Sequence, residues 1–92
     1  MPWEDTVFIH LGNNVVIPAG EIIGVFDLEA TTTTKETREF LKIAEEEGFV
    51  TSVSAENLPK SFVVTEKQKQ SVIYLSPISA ATLRKRINKN KL

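Results

Sequence analysis

The chain contains no cysteine and a single histidine, His10. The first absence excludes a disulfide framework, a thiolate metal site and a cysteine nucleophile, and the second excludes a histidine-rich metal cluster. His10 remains as one acid or base. Long apolar runs are also missing: the longest are of the order of Phe62-Val63-Val64 and Val72-Ile73-Tyr74-Leu75, against the roughly 18 residues of a membrane-spanning helix. Met1-Pro2-Trp3-Glu4-Asp5-Thr6 is acidic where a secretory signal would be basic and then apolar. The expected location is therefore the cytoplasm, with no membrane partner. There is no P-loop, no dinucleotide-binding glycine motif, and no nucleophile beside a base. Asp27 and Glu29 lie two residues apart, but nothing near them suggests a metal. No catalytic residue, metal site or cofactor is expected.

What is present suits one domain. The 92 residues are 41% hydrophobic and 25% charged, an ordinary globular balance with room for a modest core. The net charge of −1 hides an asymmetry. Residues 1–59 carry 11 acidic groups against Lys35, Arg38 and Lys42, a balance of −8, whereas residues 60–92 carry eight basic groups against Glu66, a balance of +7. Arg84, Lys85, Arg86, Lys89 and Lys91 all fall in the last nine residues. Such a chain can present a basic face to a polyanion, or dock head to tail on copies of itself.

The pattern predicts Val7 to Leu11 as a strand, Gly12-Asn13 as a turn and Asn14 to Ile17 as the hairpin partner. Pro18-Ala19-Gly20 breaks the strand, and Glu21 to Leu28 forms a third, with Gly24 marking a bulge or a close backbone approach. Thr33 and Glu36 have the spacing of a capping box for a helix from about Lys35 to Glu47. That helix carries Phe40, Leu41, Ile43 and Ala44 on one arc and stops at Gly48. Its Lys42 and Glu46 are spaced to pair. Phe49 to Ser54, Ser61 to Glu66 and Val72 to Leu75 read as strands, with a loop over residues 66–71. Ala80, Leu83 and Ile87 form the stripe of a last helix, capped by Ser79 or begun at Ser76-Pro77. The order β-β-β-α-β-β-β-α predicts an α+β fold, a mostly antiparallel sheet with both helices packed on one face. Residues 1–6 read as an extension, 7–87 as one domain and 88–92 as a basic tail that frays.

Several segments together carry a resemblance. Phe8-Ile9-His10-Leu11-Gly12-Asn13-Asn14-Val15-Val16, Thr37-Arg38-Glu39-Phe40-Leu41 and Pro59-Lys60-Ser61-Phe62-Val63-Val64-Thr65 are of this kind, as is Tyr74-Leu75-Ser76-Pro77-Ile78-Ser79 with Thr82-Leu83. In this order they resemble the extracellular-matrix regulators of the RemA/RemB family, nearer the RemB branch, over about Val7 to Ile87. The resemblance implies a bacterial protein that controls biofilm-matrix genes. RemA-type members bind DNA and assemble into rings, with DNA-facing arginines near the start of the third strand and in the loop before the fifth. This chain departs at both places. Glu21 precedes Ile22-Ile23, and the loop Ala55-Glu56-Asn57-Leu58-Pro59-Lys60 holds one cation and no arginine.

Each candidate site has two readings. Lys60, Arg84, Lys85, Arg86 and Lys89 can contact phosphate. The cations of the last helix also complement its dipole, and Lys60 can be a solvated loop residue. Glu45, Glu46 and Glu47 can receive the basic segment of another copy, or form a solvated helix end that opposes the dipole. Thr31 to Thr34 can accept phosphorylation or serve as a capping loop, and His10 is a pH-sensitive interface group or a hydrogen-bonded strand residue. Two functions follow: a homo-oligomeric DNA-contacting regulator, or a protein-interaction module, with a RemA-type partner, that touches no DNA.

Overall fold

The computed structural model describes residues 7–31 and 33–89. Met1 to Thr6 with Trp3, Thr32, and the end of the tail with Lys91 lie outside the described residues. Strands β1 (Phe8–Gly12) and β2 (Val15–Pro18) form an antiparallel hairpin. Its turn is Asn13-Asn14, one residue later than Gly12-Asn13. Both asparagines have positive φ, 47° and 70°, as a type I′ turn demands and as asparagine tolerates. Gly12 is then left to absorb an irregularity between His10 and Gly12, at φ +114°.

A 3-10 turn at Ala19–Glu21 leads into β3 (Ile22–Asp27), so Glu21 stands outside the strand. The register shifts between Ile22 and Gly24, as the glycine suggested. Gly24 also lies under the Phe26 ring, 2.7 Å from where a Cβ would sit. A short helix α1 (Leu28–Thr31) follows, which the sequence reading gave to strand and loop. Asp27 caps it by accepting from the Ala30 amide at 2.8 Å.

Helix α2 (Lys35–Glu46) is capped by Thr34, whose hydroxyl accepts from the Thr37 amide, rather than by Thr33. The i,i+4 pair on it that closes is Lys35–Glu39 at 3.9 Å. Three strands remain: β4 (Val50–Ser52), β5 (Ser61–Lys67) and β6 (Gln70–Ser76). They join β3 in a four-stranded sheet of order β3-β5-β6-β4. The β3–β5 and β5–β6 pairs are antiparallel, whereas β4 runs parallel to β6. The β5–β6 connection is a two-residue turn, Gln68-Lys69, shorter than the expected loop. Helix α3 (Ala80–Lys89) closes the fold. Ser79 is its cap, accepting from Thr82 N at 3.2 Å. Ser76 instead serves the core.

One expectation is corrected: the helices cover opposite faces of the sheet. The cause lies in β5, where Phe62 and Val64 point one way and Val63 the other, all apolar, so both faces need a cover. On one face the cross-strand rows Phe26-Phe62-Leu75 and Gly24-Val64-Ile73-Val50 meet Leu41 and Ala44 of α2. On the other, Val25, Val63 and Tyr74 meet Ile9, Leu11 and Ile17 of the hairpin and Leu83 of α3. The domain therefore has three layers: hairpin with α3, sheet, and α2.

Candidate functional site

The layers differ sharply in charge. Residues 7–20, which form the hairpin, contain no acidic, lysine or arginine side chain, and α3 adds Arg84, Lys85, Arg86 and Lys89 with no acid. The opposite layer, residues 28–47, holds six acidic groups and three basic ones. The imbalance seen along the chain thus becomes an imbalance between the two sides of the sheet.

The stripe on α3 explains how its cations are placed. Ala80 and Leu83 are buried and Ile87 is half-buried against the sheet, so the residues between them fall on the flanks and the outer side. Arg84 reaches across one flank to donate to the Val25 carbonyl of β3 at 2.8 Å. Arg86 reaches across the other to the His10 carbonyl of β1, also at 2.8 Å. The two guanidiniums clip the helix between sheet and hairpin, while exposed Lys85 and Lys89, four residues apart, form the outward stripe. Each guanidinium thus serves the fold through a bond to a backbone carbonyl.

Lys60 is exposed but stands apart from this stripe. Its backbone carbonyl accepts from Leu28 N at 3.0 Å and its amide donates to Ser76 O at 2.8 Å, which fixes it at the end of the sheet where β5 begins. Glu21 sits at the other end of the β3–β5 pair, with Lys67 of β5 4.0 Å from its carboxylate. That ion pair offsets the acid at the place where the resemblance puts an arginine. Glu45, Glu46 and Glu47 end α2 on the far side of the sheet, away from α3. The structure thus brings Arg84, Lys85, Arg86 and Lys89 onto one face, and leaves Lys60 and the glutamates elsewhere. His10 is exposed on the hairpin, and only its carbonyl is engaged by Arg86.

A second feature escaped the sequence reading. Phe26, Phe40, Phe62 and Val64, with Thr31, Glu36 and Thr37 at the margin, line an open groove of about 370 Å³ on the acidic side. Phe26 and Phe62 stack there with ring centroids 5.0 Å apart. Their periodicity marks these residues as core, and nothing local shows that α2 leaves them partly uncovered.

These features define a small three-layer α+β domain that presents one cationic face and one acidic, partly apolar face. Among the described residues no helix is long and apolar enough to cross a membrane. The chain belongs to the RemA-like family: the model for that family, described as extracellular matrix regulatory protein A-like, matches residues 8–87. It is also similar to extracellular matrix regulatory protein B of Bacillus subtilis (strain 168), at 40% identity over 80 residues, 87% of this chain and 89% of that protein. It is thus a member of a family of extracellular-matrix regulatory proteins.

Proposed function

We propose that this chain is a non-enzymatic, cytoplasmic regulator of extracellular-matrix gene expression that works as a ring-like homo-oligomer and contacts DNA through the face built on α3. Residues 7–87 are its working domain and 88–92 a basic tail. One observation carries the reading: the layer of hairpin and α3 bears four cations and no acidic side chain, while residues 28–47 behind the sheet hold six acidic groups. Contact of Arg84, Lys85, Arg86 and Lys89 with phosphate gives affinity without base readout. One copy offers few such contacts; repetition around an assembly multiplies them by avidity. The pairing of Glu21 with Lys67 supports the reading, since it weakens a repulsion at the start of β3.

A second reading is favoured by different residues. The 55–60 loop has no arginine, and Arg84 and Arg86 each give a donor to a backbone carbonyl. In this reading the chain binds a protein, such as a RemA-type partner, and no DNA.

Fluorescence anisotropy with duplex DNA across a salt series separates the two. The DNA reading expects binding at low salt and a log–log slope that shrinks by about 0.9 for each phosphate contact removed, as in a Lys85→Ala, Lys89→Ala double variant. Absence of binding at low salt by the full chain overturns it in favour of the protein partner.

A further inference from the structure

The two faces of the sheet are covered unequally. The hairpin and α3 together cover one face, whereas among the described residues the other carries α2 and the single turn of α1. Four strands at a spacing of roughly 4.8 Å make a sheet about 15–20 Å wide, and one helix is about 10 Å across. Helix α2 packs over β4, β5 and β6 through Leu41 and Ala44, so the β3 side stays open. There Gly24 brings no side chain, and the Phe26 ring, 39% exposed, lies over it. The groove between Phe26 and Phe40 is this helix-wide gap. Its wall on α2 continues as a stripe. Glu36, Phe40, Ile43 and the C-cap Glu47 fall at i, i+4, i+7 and i+11, one line down the helix. Phe40 is 48% exposed and Ile43 57%.

We infer that this gap takes a basic amphipathic helix from another protein. It lies beside α2 with its apolar stripe on Phe26, Phe40 and Ile43 and its cations at Glu36 and Glu47. Such a helix docks by apolar anchors at the i, i+3, i+4 and i+7 spacing, and the stripe on α2 offers their counterpart. Charge selects the occupant. The stripe has an acid at each end of its apolar middle, on a layer whose balance is −3, from six acidic and three basic groups. Glu47 also stands at the negative end of the α2 dipole, so a cation is favoured there on two counts. A second copy of this chain does not supply the helix. Its basic helix, α3, spends Ala80, Leu83 and Ile87 on its own fold, and a second α2 would set acids against acids. The site lies across the sheet from α3, so the inference does not depend on whether α3 contacts DNA.

The experiment is isothermal titration calorimetry on the full chain with three peptides of about 15 residues. One is a Leu/Lys sequence with leucines at helical spacing. The second has the same composition with leucine and lysine alternating as in a strand. The third is the helical sequence with glutamate in place of lysine. The first is expected to bind, one peptide per chain, and the other two are not. In a Phe40→Ser, Ile43→Ser variant its affinity is expected to fall at least about tenfold, with circular dichroism checking that the variant folds. A Glu36→Lys, Glu47→Lys variant leaves every apolar contact in place, and it is expected to prefer the Leu/Glu peptide. Equal binding of the strand-patterned peptide, unchanged affinity in the serine variant, or an unchanged preference after charge reversal overturns the inference. So does a lower sedimentation coefficient for the serine variant than for the parent, since the stripe would then be a contact between copies.

Discussion

Ser76 Oγ donates to the carbonyl of Leu11 at 2.6 Å, joining residues 65 apart across the interior. The same oxygen accepts from Ile78 N at 3.0 Å. One fully buried hydroxyl therefore ties the hairpin layer to the end of β6 and shapes the approach to α3. Ser61, also buried, repeats the device by donating to Ile78 O at 2.7 Å. Replacing Ser76 by alanine strands the buried Leu11 carbonyl and removes the partner of the part-buried Ile78 amide. The expected loss is about 1–3 kcal/mol, the desolvation cost of buried polar groups left unpaired. Urea denaturation of Ser76→Ala checks it, with exposed Ser71→Ala expected within about 0.5 kcal/mol of the parent. Equal midpoints for the two variants contradict the role given to Ser76.

Gly12 combines two constraints. Its φ of +114° lies where side chains are disfavoured, and an added Cβ would stand 3.2 Å from Pro77 Cγ. Gly12→Ala is expected to lose roughly 1–3 kcal/mol, read as a lower thermal midpoint. An unchanged midpoint would mean that the hairpin turn relaxes without cost.

The β5–β6 turn offers the opposite opportunity. Gln68 and Lys69 hold φ at 50° and 68° without a glycine or asparagine. A Gln68→Asn, Lys69→Gly variant supplies the residues that such a turn prefers, and an increase of roughly 1 kcal/mol in stability is expected. The turn lies at the end of the sheet away from Lys60, so DNA affinity should fall by no more than the loss of one cation. A destabilised variant would show that Gln68 or Lys69 makes a contact worth more than the relief of strain.

These cases show what the sequence could and could not reveal. Alternation in β5 and the stripe Ala80, Leu83, Ile87 are properties of neighbours in the chain, so the strands and α3 were legible. The Gln68-Lys69 turn was not, because its residues carry no turn signal and the flanking strands impose the conformation. The division of the helices between two faces was also hidden, since it depends on Phe62 and Val63 both needing cover rather than on either helix. β4 proved to be three residues long and parallel to β6, and Val53 just beyond it packs on the hairpin side. At the candidate site, the cluster of α3 cations could be read directly. Their division into arginines that clip the helix and lysines that face outward could not, because Val25 O and His10 O are 59 and 76 residues away in sequence.

That division leads to a prediction that separates folding from binding. Lys85 and Lys89 lie on the outer side of α3, whereas Arg84 and Arg86 each give a donor to a backbone carbonyl. Lys85→Ala should weaken DNA binding and reduce the salt slope by about 0.9, with stability within about 0.5 kcal/mol of the parent. Arg84→Ala removes a charge and a tie between helix and sheet, so it should lower both DNA affinity and stability. The stability term is expected near 0.5–1 kcal/mol because the contact is exposed. Arg84→Lys supplies the discriminating case. It keeps the charge but shortens the reach and loses the planar fork, so affinity should largely return while the stability loss persists. If Arg84→Lys restores stability as well, the bond to Val25 contributes little and the arginine serves as charge alone. If Arg84→Ala lowers stability but leaves DNA affinity and salt slope untouched, Arg84 belongs to the fold and the phosphate-facing set contracts to the remaining cations of α3.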